Sequence, residues 1–404
     1  MMALPLISPN ICNLEPQGFY IHIPFCRRKC FYCDFAITTG KTELQEHYVE
    51  VLCQEIALIA KESFPYTAAL KTIFFGGGTP SLLKPSQIDE ILQTINRYWA
   101  IANNAEISIE INPGTVTVES VKAYRSLGIN RISIGAQAFQ DQLLDLCGRG
   151  HSVTEIYEAV AATKQAGLDN FSLDLISGLP TQTLSQWQES LSQAIALEPK
   201  HIAVYDLTIE PSTAFNKRYR AGVNPLPNDE STVEMYLMAR DRLQGAGYNH
   251  YEISNYALPN YQSRHNLIYW HNQPFYGAGM GATSYINQYR IDRPQKMREY
   301  LAMVEAWTQG NSPINPPQIS DREALFDTLM QGLRLAQGIS FEHLINRFGS
   351  ASIQETIPQL EAYSPHWVTI SPTHLYLTQP EGWLFSDEVI GSLFTYFFDC
   401  PHPI

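Results

Sequence analysis

Short apolar runs recur along the first half of the chain, and stretches with helical periodicity separate them. The short runs predict β-strands, whereas apolar positions three or four residues apart predict amphipathic helices. The predicted strands are 18–23, 71–75, 106–111, 131–135, 170–176 and 201–205, and the predicted helices are 44–61, 85–99, 117–127, 153–166 and 184–197. Alternating strands and helices form βαβ units around a parallel sheet. The six strands therefore predict an α/β fold, a partial (β/α)6 barrel rather than a closed eightfold one.

The alternation stops near residue 225. The next segments are a predicted helix at 231–245, a Tyr-, Asn- and His-rich stretch at 248–270, a glycine-rich loop at 277–281 and a proline-rich linker at 313–317. The last segments are helices at 322–336 and 340–348, a hairpin of 368–370 and 375–378, and a helix from residue 387. Helices followed by a hairpin predict a C-terminal helical and winged-helix-like region.

These patterns divide the chain into four predicted parts. They are an N-terminal segment (1–17), the partial barrel (18–225), a helical extension (226–317) and a winged-helix-like C-terminal domain (318–404). In parallel α/β folds, functional groups gather at the carboxyl ends of the strands. The residues directly after each predicted strand are therefore the first place to look for a site.

Composition narrows the class of protein. The chain has 404 residues, of which 45% are hydrophobic and 17% are charged, as is usual for soluble globular proteins. Its 27 Lys and Arg against 40 Asp and Glu give a net charge of −13, and the stretch 320–404 contains no Lys. Proteins that bind nucleic acid through its phosphates need a basic surface. We therefore expect no nucleic-acid partner.

The sequence also indicates a cellular compartment. No apolar run approaches the roughly 18 residues of a membrane-spanning helix, and the N-terminus lacks a basic and apolar leader. We therefore expect no direct insertion into a membrane. The seven cysteines are odd in number and too widely spread for a disulfide framework. Together these features predict a cytoplasmic protein.

Three of the cysteines, Cys26, Cys30 and Cys33, follow the first predicted strand with the spacing C-x3-C-x2-C. Three thiolates on one loop can hold three irons of a [4Fe–4S] cluster, which leaves the fourth iron open to another ligand. The spacing alone leaves two alternatives, a zinc site completed by His22 or Asp34, and plain buried thiols. The other cysteines are predicted to be core or incidental thiols: Cys12, Cys53, Cys147 and Cys400.

A second motif, Phe75-Gly-Gly-Gly-Thr-Pro80, ends the second predicted strand. Glycines let the backbone approach a ligand closely and present N–H groups to a carboxylate. Together with Ile21-His-Ile-Pro-Phe-Cys26 and Cys30-Phe-Tyr-Cys33, this motif resembles the signature of the radical S-adenosylmethionine (SAM) superfamily. The resemblance implies that the open iron binds the amino and carboxylate groups of SAM. It also implies that electron transfer from the cluster cleaves SAM to a 5′-deoxyadenosyl radical.

Further motifs resemble one branch of that superfamily, which contains the oxygen-independent coproporphyrinogen III oxidases and the HemW haem chaperones. The motifs are Glu110-Ile-Asn-Pro113, Ile134-Gly-Ala-Gln137, Gly148-Arg-Gly-His151 and Asp174-Leu-Ile-Ser-Gly-Leu-Pro180. The resemblance implies two groups of SAM-binding residues. The first SAM would contact Tyr20, Gly77 and Glu110, and the second SAM position would be lined by Tyr32, Gly78, Thr79, Gln137, Arg149 and Asp174.

The charged residues of these motifs also have purely structural interpretations. Asp174 could cap a helix, Arg149 could form a surface ion pair of little energetic value, and Glu110 could be a solvated strand residue. The residue types alone do not decide between these interpretations and SAM binding. Their order along the chain, each at or soon after a predicted strand, favours SAM binding.

The N-terminal part of the chain favours the HemW side of this branch. The coproporphyrinogen III oxidases carry a fourth cysteine two positions after the third, where this chain has Phe35. They also have a longer segment before the first strand, where this chain has 17 residues. Both differences argue against decarboxylation of coproporphyrinogen, although the fold is shared.

A later motif points the same way. His265-Asn-Leu-Ile-Tyr-Trp270 matches the H-N-x-x-Y-W motif of the HemW family. The resemblance implies that His265 is an axial ligand of haem iron, with Tyr269 and Trp270 stacking on the porphyrin. The alternative is a packing cluster in which a backbone carbonyl satisfies His265. Two nearby residues are further haem-binding candidates: His271 and Tyr276.

The resemblance therefore implies a haem chaperone that carries a [4Fe–4S] cluster and SAM. It would bind haem as cargo and pass it to acceptor haemoproteins, respiratory ones among them, and it would form a homodimer on binding the cluster. Three alternatives stay open: an oxygen-independent coproporphyrinogen III oxidase of porphyrin biosynthesis, a radical SAM methyltransferase, and a non-catalytic zinc-binding module. Whether the chain is an enzyme is therefore not decided by the sequence.

Overall fold

The computed structural model describes residues 14–40, 42–62, 67–312 and 316–399. Most of the predicted N-terminal segment (1–17) lies outside these residues, as do Cys12, Cys400 and part of the predicted linker at 313–317. The following description of strands, helices and cavities applies to the described residues.

The strands fall into two groups along the chain. The first group is β1 (Gly18–Ile23), β2 (Phe25–Cys26), β3 (Thr38–Thr39), β4 (Leu70–Gly77), β5 (Ile101–Ile111), β6 (Arg131–Gln137), β7 (Phe171–Ser177), β8 (His201–Asp206), β9 (Asn249–Glu252), β10 (Asn255–Ala257), β11 (Tyr276–Ala278), β12 (Thr283–Ile286) and β13 (Tyr289–Asp292). The second group is β14 (Ile339–Ser340), β15 (Val368–Ile370) and β16 (His374–Leu377).

The helices alternate with the strands of the first group and dominate the last part of the chain. The first ten are α1 (Gln45–Glu62), α2 (Pro85–Tyr98), α3 (Val118–Ser126), α4 (Asp141–Leu146), α5 (Val153–Gln165), α6 (Leu184–Ala196), α7 (Ala214–Arg218), α8 (Asp229–Gly245), α9 (Arg264–Trp270) and α10 (Met297–Thr308). The others are α11 (Asp321–Gly332), α12 (Phe341–Phe348), α13 (Ser350–Glu361), α14 (Glu381–Leu384) and α15 (Ser386–Phe394). Within the described part of the chain, every helix is too short or too polar to cross a bilayer.

The predicted barrel strands form one continuous parallel sheet. β1 pairs with β4, and β4 to β8 follow in chain order, each parallel to its neighbour. The register places Ile73 of β4 beside Ile107 of β5, and Ile109 of β5 beside Ile132 of β6. The prediction of a partial (β/α)6 barrel is confirmed, and the carboxyl ends of six strands share one edge.

Additional strands extend both edges of this sheet. β11 pairs in parallel with β1, while β10 and β9 add antiparallel strands beyond β8. The prediction that 277–281 is only a loop is therefore wrong at its start, because Gly277 belongs to β11. A Cβ at Gly277 would lie 2.0 Å from the carbonyl oxygen of Thr283, so glycine is required where β11 packs on the next strand. Glycine carries no hydropathy signal, which is why the strand was missed.

Local capping sets where the barrel helices begin. The Ser152 and Thr183 hydroxyls accept hydrogen bonds from the backbone N–H groups of Glu155 and Gln186, whose side chains bond back to the cap residues. Such capping boxes stabilise a helix start by about 1 kcal/mol. They fix the lengths of the loops that follow β6 and β7, and these loops surround the carboxyl edge of the sheet.

Two apolar clusters stabilise the molecule. The larger one packs strand residues such as Ile21 and Ile109 against helix residues such as Ile56 and Leu191, all with no exposed surface. The smaller one lies in the C-terminal part and includes Leu333, Leu375 and Leu393. Full burial of one such side chain contributes about 1.5–3 kcal/mol.

The C-terminal cluster sits among α11 to α15 and a three-stranded antiparallel sheet of order β14–β16–β15. This is the predicted helical and winged-helix-like region, with α13 as a helix that the sequence pattern did not reveal. It contacts the barrel through Arg347 of α12, which donates to the carbonyl of Asn272 at 3.1 Å and to the Tyr285 hydroxyl at 3.3 Å. The last segment of the chain therefore packs beside the end of α9.

Candidate functional site

A cavity of about 320 Å³, which we call the main pocket, opens at the carboxyl ends of the parallel strands. Eleven of the twelve residues predicted to bind the cluster or SAM line it: Cys26, Cys30, Tyr32, Cys33, Gly77, Gly78, Thr79, Glu110, Gln137, Arg149 and Asp174. They meet because parallel strands bring their carboxyl ends to one edge of the sheet. The twelfth, Tyr20, lines a neighbouring cavity together with His265, the predicted haem ligand.

The cysteine loop is anchored at both sides of the main pocket. The backbone N–H of Phe31 donates to the carbonyl of Cys147 at 2.9 Å, and the N–H of Phe215 donates to the carbonyl of Phe31 at 2.9 Å. The loop itself turns through a hydrogen bond from the N–H of Cys33 to the carbonyl of Cys30. All three thiols are half-buried and line the same pocket.

Two of the three thiols, those of Cys26 and Cys30, accept hydrogen bonds from polar side chains of two other loops. The Thr79 hydroxyl donates to Cys26 Sγ at 3.6 Å, and Arg149 Nη1 donates to Cys30 Sγ at 3.7 Å. Burial raises the pKa of the Cys26 thiol to about 11 and raises that of Cys33 too, so iron binding there must displace protons. Three thiols beside one cavity fit a [4Fe–4S] cluster held by three thiolates.

The zinc alternative required His22 or Asp34 as a fourth ligand. His22 uses both ring nitrogens elsewhere: Nε2 lies 2.8 Å from the carbonyl of Ala36 and Nδ1 lies 3.1 Å from the Tyr20 hydroxyl. Asp34 is exposed, and its residue lines a different cavity from the one that the three thiols line. Within the described residues, no group of three or more His, Cys, Asp or Glu side chains is arranged to hold a single metal ion. His22 therefore braces the loop.

The glycine loop after β4 forms one wall of the main pocket. Gly77 has a φ of +110°, and a Cβ there would lie 2.5 Å from the His22 ring. A Cβ at Gly78 would lie 2.8 Å from the backbone of Pro24 and Phe25. Only glycine satisfies both the conformation and the close contact at Gly77. The loop thus brings its backbone directly against the cysteine-bearing strand.

Two carboxyl groups lie at the floor of the main pocket. Glu110 Oε2 accepts a hydrogen bond from the Gly77 N–H at 3.0 Å, and burial followed by the nearby Asp174 raises the pKa of Glu110 to about 7. Asp174 accepts from the hydroxyl of Ser133 on the neighbouring strand β6 and from that of Ser172 on its own strand β7, and burial raises its pKa to about 6. Asp174 therefore caps no helix, and Glu110 is not a solvated strand residue.

The raised pKa of Glu110 predicts a pH dependence of stability. An unfolded glutamate has a pKa of about 4.3. The folded protein therefore holds an extra proton up to a pH of about 7, and its free energy of unfolding falls as the pH rises through that window. We expect the wild type to lose about 2 kcal/mol relative to Glu110→Gln between about pH 5 and about pH 8. Urea denaturation of both ligand-free proteins measures this, and a pH-independent difference would contradict it.

Arg149 connects several parts of the main pocket. Only 8% of the residue is exposed, and its guanidinium donates to the carbonyl of Gly135 at 2.7 Å and to the Tyr32 hydroxyl at 3.3 Å. It also bonds the side-chain oxygen of Asn112. Arg149 is therefore not a surface ion pair. Its positive charge is fixed inside the pocket, next to Cys30.

The sequence prediction missed several residues of this site. The Asn112 amide donates to the Thr79 hydroxyl at 2.7 Å and so links Arg149 to the glycine loop. Its position in the motif 110–113 is the sequence signal that points to this residue. Gln137 has a φ of +69° at the end of β6, a strained backbone of the kind that clusters at functional sites. Other missed lining residues are Ser133, Tyr205, Leu207 and Thr208.

A second cavity of about 190 Å³ lies behind Glu110 inside the barrel, and we call it the inner chamber. His265 of α9 lies on its wall with 1% of its surface exposed. Its Nδ1 is 2.7 Å from the Thr72 hydroxyl and its Nε2 is 2.8 Å from the Tyr269 hydroxyl. If His265 only packs in the core, the sequence analysis expected a backbone carbonyl as its hydrogen-bond partner. This expectation is wrong, because its partners are two hydroxyl groups.

The inner chamber bears on the predicted haem contacts. Its volume is below the roughly 300 Å³ at which pockets for larger organic ligands begin. As folded here, His265 therefore has no room for haem and no free nitrogen, so ligation of iron requires one hydrogen bond to open. Tyr276 was a further candidate for contacting haem. Its side chain is instead fully buried in β11 against Phe19 and Trp99, where haem does not reach it. His271 is half-buried at the end of α9.

Comparison with known proteins places these features in a family. Residues 20–194 match the profile of the Radical SAM superfamily, and residues 319–385 match that of the HemN C-terminal domain. The solved coproporphyrinogen III oxidase (HemN) from Escherichia coli, a radical SAM enzyme, has a similar fold, with a TM-score of 0.81 and 20% identity over 95% of this chain and 91% of that one.

Relatives that are similar in sequence identify a narrower family within this superfamily. The heme chaperone HemW of Synechocystis is 44% identical, covering 94% of this chain and 97% of that protein. The heme chaperone HemW of Escherichia coli is 35% identical, covering 94% of this chain and 98% of that protein. With relatives this similar over almost their entire length, the chain belongs to the HemW family of radical SAM proteins.

Proposed function

We propose that this protein is a haem chaperone that holds a [4Fe–4S] cluster on Cys26, Cys30 and Cys33 and binds SAM in the main pocket. It takes up haem and passes it to acceptor haemoproteins, respiratory ones among them. The observation that carries the proposal is the meeting of three thiols, a glycine loop and a buried arginine in one cavity of about 320 Å³. The HemW relatives support the haem-handling part.

The residues of the main pocket have separate tasks in this proposal. A bound cluster supplies an open iron position and an electron to SAM. The Gly77 backbone and Glu110 face the first SAM together with Tyr20, and the Glu110 carboxylate attracts its positive charge. A second SAM position is lined by Tyr32, Gly78, Thr79, Gln137, Arg149 and Asp174.

A shared fold does not make the chain a coproporphyrinogen III oxidase. Phe35 occupies the position of the fourth cysteine, and its ring is 61% exposed at the edge of the main pocket. The fourth thiol of the oxidases is therefore replaced by an apolar surface. We accordingly propose haem transfer rather than decarboxylation as the activity.

The proposal is tested by offering cluster-loaded protein both substrates anaerobically. With haem and an apo-haemoprotein acceptor, we expect haem to reach the acceptor faster than from an equal amount of haem held by serum albumin. With coproporphyrinogen III, SAM and dithionite, we expect no protoporphyrinogen. Protoporphyrinogen together with 5′-deoxyadenosine, and no haem transfer, would contradict the proposal. Methylated product and S-adenosylhomocysteine would instead support the methyltransferase alternative.

Gly77→Ala is expected to weaken SAM binding at least about tenfold, because the new methyl group must push the glycine loop or the His22 ring out of place. Iron and sulfide content should stay near the wild-type level, since the thiols are unchanged. Equilibrium dialysis with labelled SAM measures the affinity. The control is Gly245→Ala on α8, where a Cβ meets nothing within 4 Å. Unchanged SAM affinity in Gly77→Ala would show that the glycine loop is not part of the SAM site.

A further inference from the structure

Asn112 lies in the turn directly after β5, where its main chain is held in place by Thr115. The backbone N–H and the hydroxyl of Thr115 both donate to the carbonyl of Asn112, at 3.1 and 2.6 Å. The residue is half-buried and lines the main pocket. It belongs neither to the cluster ligands nor to the SAM contacts proposed above. The turn therefore presents an unassigned side-chain amide at the pocket wall.

Both ends of this amide bond to a side chain that in turn bonds to a cysteine. Asn112 Nδ2 donates to the Thr79 hydroxyl at 2.7 Å, and that hydroxyl donates to Cys26 Sγ at 3.6 Å. Asn112 Oδ1 accepts from Arg149 Nη2, and Arg149 Nη1 donates to Cys30 Sγ at 3.7 Å. These bonds form one path between two cysteine sulfurs, which we call the sulfur arc: Cys26, Thr79, Asn112, Arg149 and Cys30.

The chemistry of the side chains fixes the direction of each hydrogen bond in the sulfur arc. A guanidinium can only donate, so the Asn112 atom that faces Arg149 must be the amide oxygen. The amide nitrogen then faces Thr79, and it can only donate to the hydroxyl oxygen. The single proton of that hydroxyl is left for the sulfur of Cys26. One asparagine therefore directs a donor towards each of two sulfur atoms.

The orientation of the Arg149 guanidinium depends on Asn112. Its Nη2 atom is bound by Asn112 and by the carbonyl of Gly135 at 2.7 Å, which turns Nη1 towards Cys30 and the Tyr32 hydroxyl. The third nitrogen, Nε, is buried and has no hydrogen-bond partner within the described residues. The two Nη atoms alone therefore hold the guanidinium in place, and loss of Asn112 removes one of their anchors.

Donors at the sulfur atoms bear on the electron chemistry of a bound cluster. Hydrogen bonds to the sulfurs are among the features that set the reduction potential of an iron–sulfur cluster. Reduction adds one negative charge, which N–H and O–H donors stabilise, and a fixed positive charge stabilises it further. Partial burial strengthens these interactions because little water screens them. The sulfur arc should therefore favour the reduced state of the cluster.

We propose that Asn112 is a positioning residue that raises the reduction potential of the cluster by holding both donors of the sulfur arc against the cysteine sulfurs. The oxidised cluster gains one electron from a low-potential one-electron donor, which is oxidised by one electron, and no proton is transferred. A higher potential makes the reduced cluster a weaker reductant, so the arc limits how readily the cluster gives its electron to SAM. The inference rests on the proposed function, since it requires the cluster.

The reduction potential of the reconstituted cluster tests this inference. The protein is poised anaerobically with dithionite and redox mediators, and the EPR signal of the reduced cluster is measured at each potential. Leucine is similar in size to asparagine and forms no side-chain hydrogen bonds. In Asn112→Leu we expect the equilibrium constant for cluster reduction to fall about tenfold, which lowers the potential of a one-electron couple by about 59 mV.

Asn130→Leu is the matched control. The Asn130 amide also accepts one hydrogen bond and donates another, from the Ile107 N–H at 3.0 Å and to the Ala105 carbonyl at 2.7 Å. It directly precedes β6, at the edge of the sheet opposite the cysteines. Its replacement should therefore leave the potential at the wild-type value.

Substitutions at Thr79 distinguish positioning from a general structural effect. Thr79→Val removes the hydroxyl and should lower the potential, whereas Thr79→Ser keeps the hydroxyl and should leave the potential near the wild-type value. Because Asn112 acts partly through Thr79, the double variant Asn112→Leu/Thr79→Val should shift the potential by less than the sum of the two single shifts.

The outcomes separate this inference from the function on which it rests. Equal potentials of the wild type and Asn112→Leu overturn the inference, while the wild-type cluster leaves the proposed function standing. If Asn112→Leu takes up no cluster, the Thr79 variants decide, and equal potentials of Thr79→Val and Thr79→Ser overturn the inference. A wild type that takes up no cluster overturns the proposed function and the inference together.

Discussion

Replacing Cys30 with serine is expected to abolish assembly of the iron–sulfur cluster. Cys30 is the middle member of three thiols on one loop, and its sulfur lies 3.7 Å from the buried guanidinium of Arg149. A serine hydroxyl is a poor substitute for a thiolate ligand of iron, and two remaining thiols leave two irons of the cluster without protein ligands. We expect iron and sulfide per chain to fall to less than about one-tenth of the wild-type values after anaerobic reconstitution.

Cys53→Ser is the matched control for this experiment. Cys53 is also half-buried and free, but it lies on α1 with its sulfur facing the carbonyl of Glu90. Its replacement should leave the iron and sulfide content and the absorbance near about 400 nm at wild-type levels, because thiolate-to-iron charge transfer arises only at the cluster. Equal iron content in Cys30→Ser and Cys53→Ser would place the metal away from the cysteine loop.

The second large effect is expected at a buried ion pair that braces the site from behind. Glu55 of α1 is fully buried and bonds Arg293 Nε at 2.7 Å, with Arg293 only 3% exposed. The other carboxylate oxygen accepts from the Gly279 N–H and from the Tyr300 hydroxyl, each at 2.8 Å. A Cβ at Gly279 would lie 2.5 Å from the carbonyl oxygen of His22. The pair therefore holds this loop against the strand that leads into the cysteines.

Arg293→Met is expected to lower the free energy of unfolding by about 3–5 kcal/mol, because it leaves the Glu55 carboxylate buried without its positive partner. Chemical denaturation of the ligand-free proteins measures the loss. Lys296→Met is the control, because it breaks an exposed pair with Glu299 and should cost less than about 1 kcal/mol. Equal losses of unfolding free energy in the two variants would mean that another group stabilises the buried Glu55 carboxylate.

The sequence predicted the barrel and the main pocket well, for a physical reason. Parallel strands must end at a common edge, so polar motifs that follow successive strands meet there whatever the helices between them do. Cys26, Gly77, Glu110 and Arg149 come from four different stretches of chain and line one cavity. The position of each motif after a predicted strand was therefore sufficient to predict that these residues lie close together.

The missed features depend on contacts between distant parts of the chain. Glu55 and Arg293 are far apart in sequence, and each alone looks like an ordinary surface charge. β11 is recognisable only from its pairing with β1, since glycine gives no apolar signal. The burial of His265 follows from α9 packing into the barrel, where its partner Thr72 comes from β4. No local pattern carries this information.

The replacement of a fourth cysteine by Phe35 connects sequence and site most directly. In the sequence it is one residue that differs from the oxidase pattern, and in the structure it is an exposed ring at the edge of the main pocket. The same position therefore supports the proposal of haem transfer rather than decarboxylation.

Haem binding by the cluster-loaded wild type is the most direct test of the account. Haem is added stepwise under anaerobic conditions, and the absorbance of the Soret band is followed at each addition. We expect saturation near one haem per chain, with a spectrum that changes when His265 is replaced by alanine. A linear increase without saturation, identical to that of haem with a non-binding protein, would contradict it.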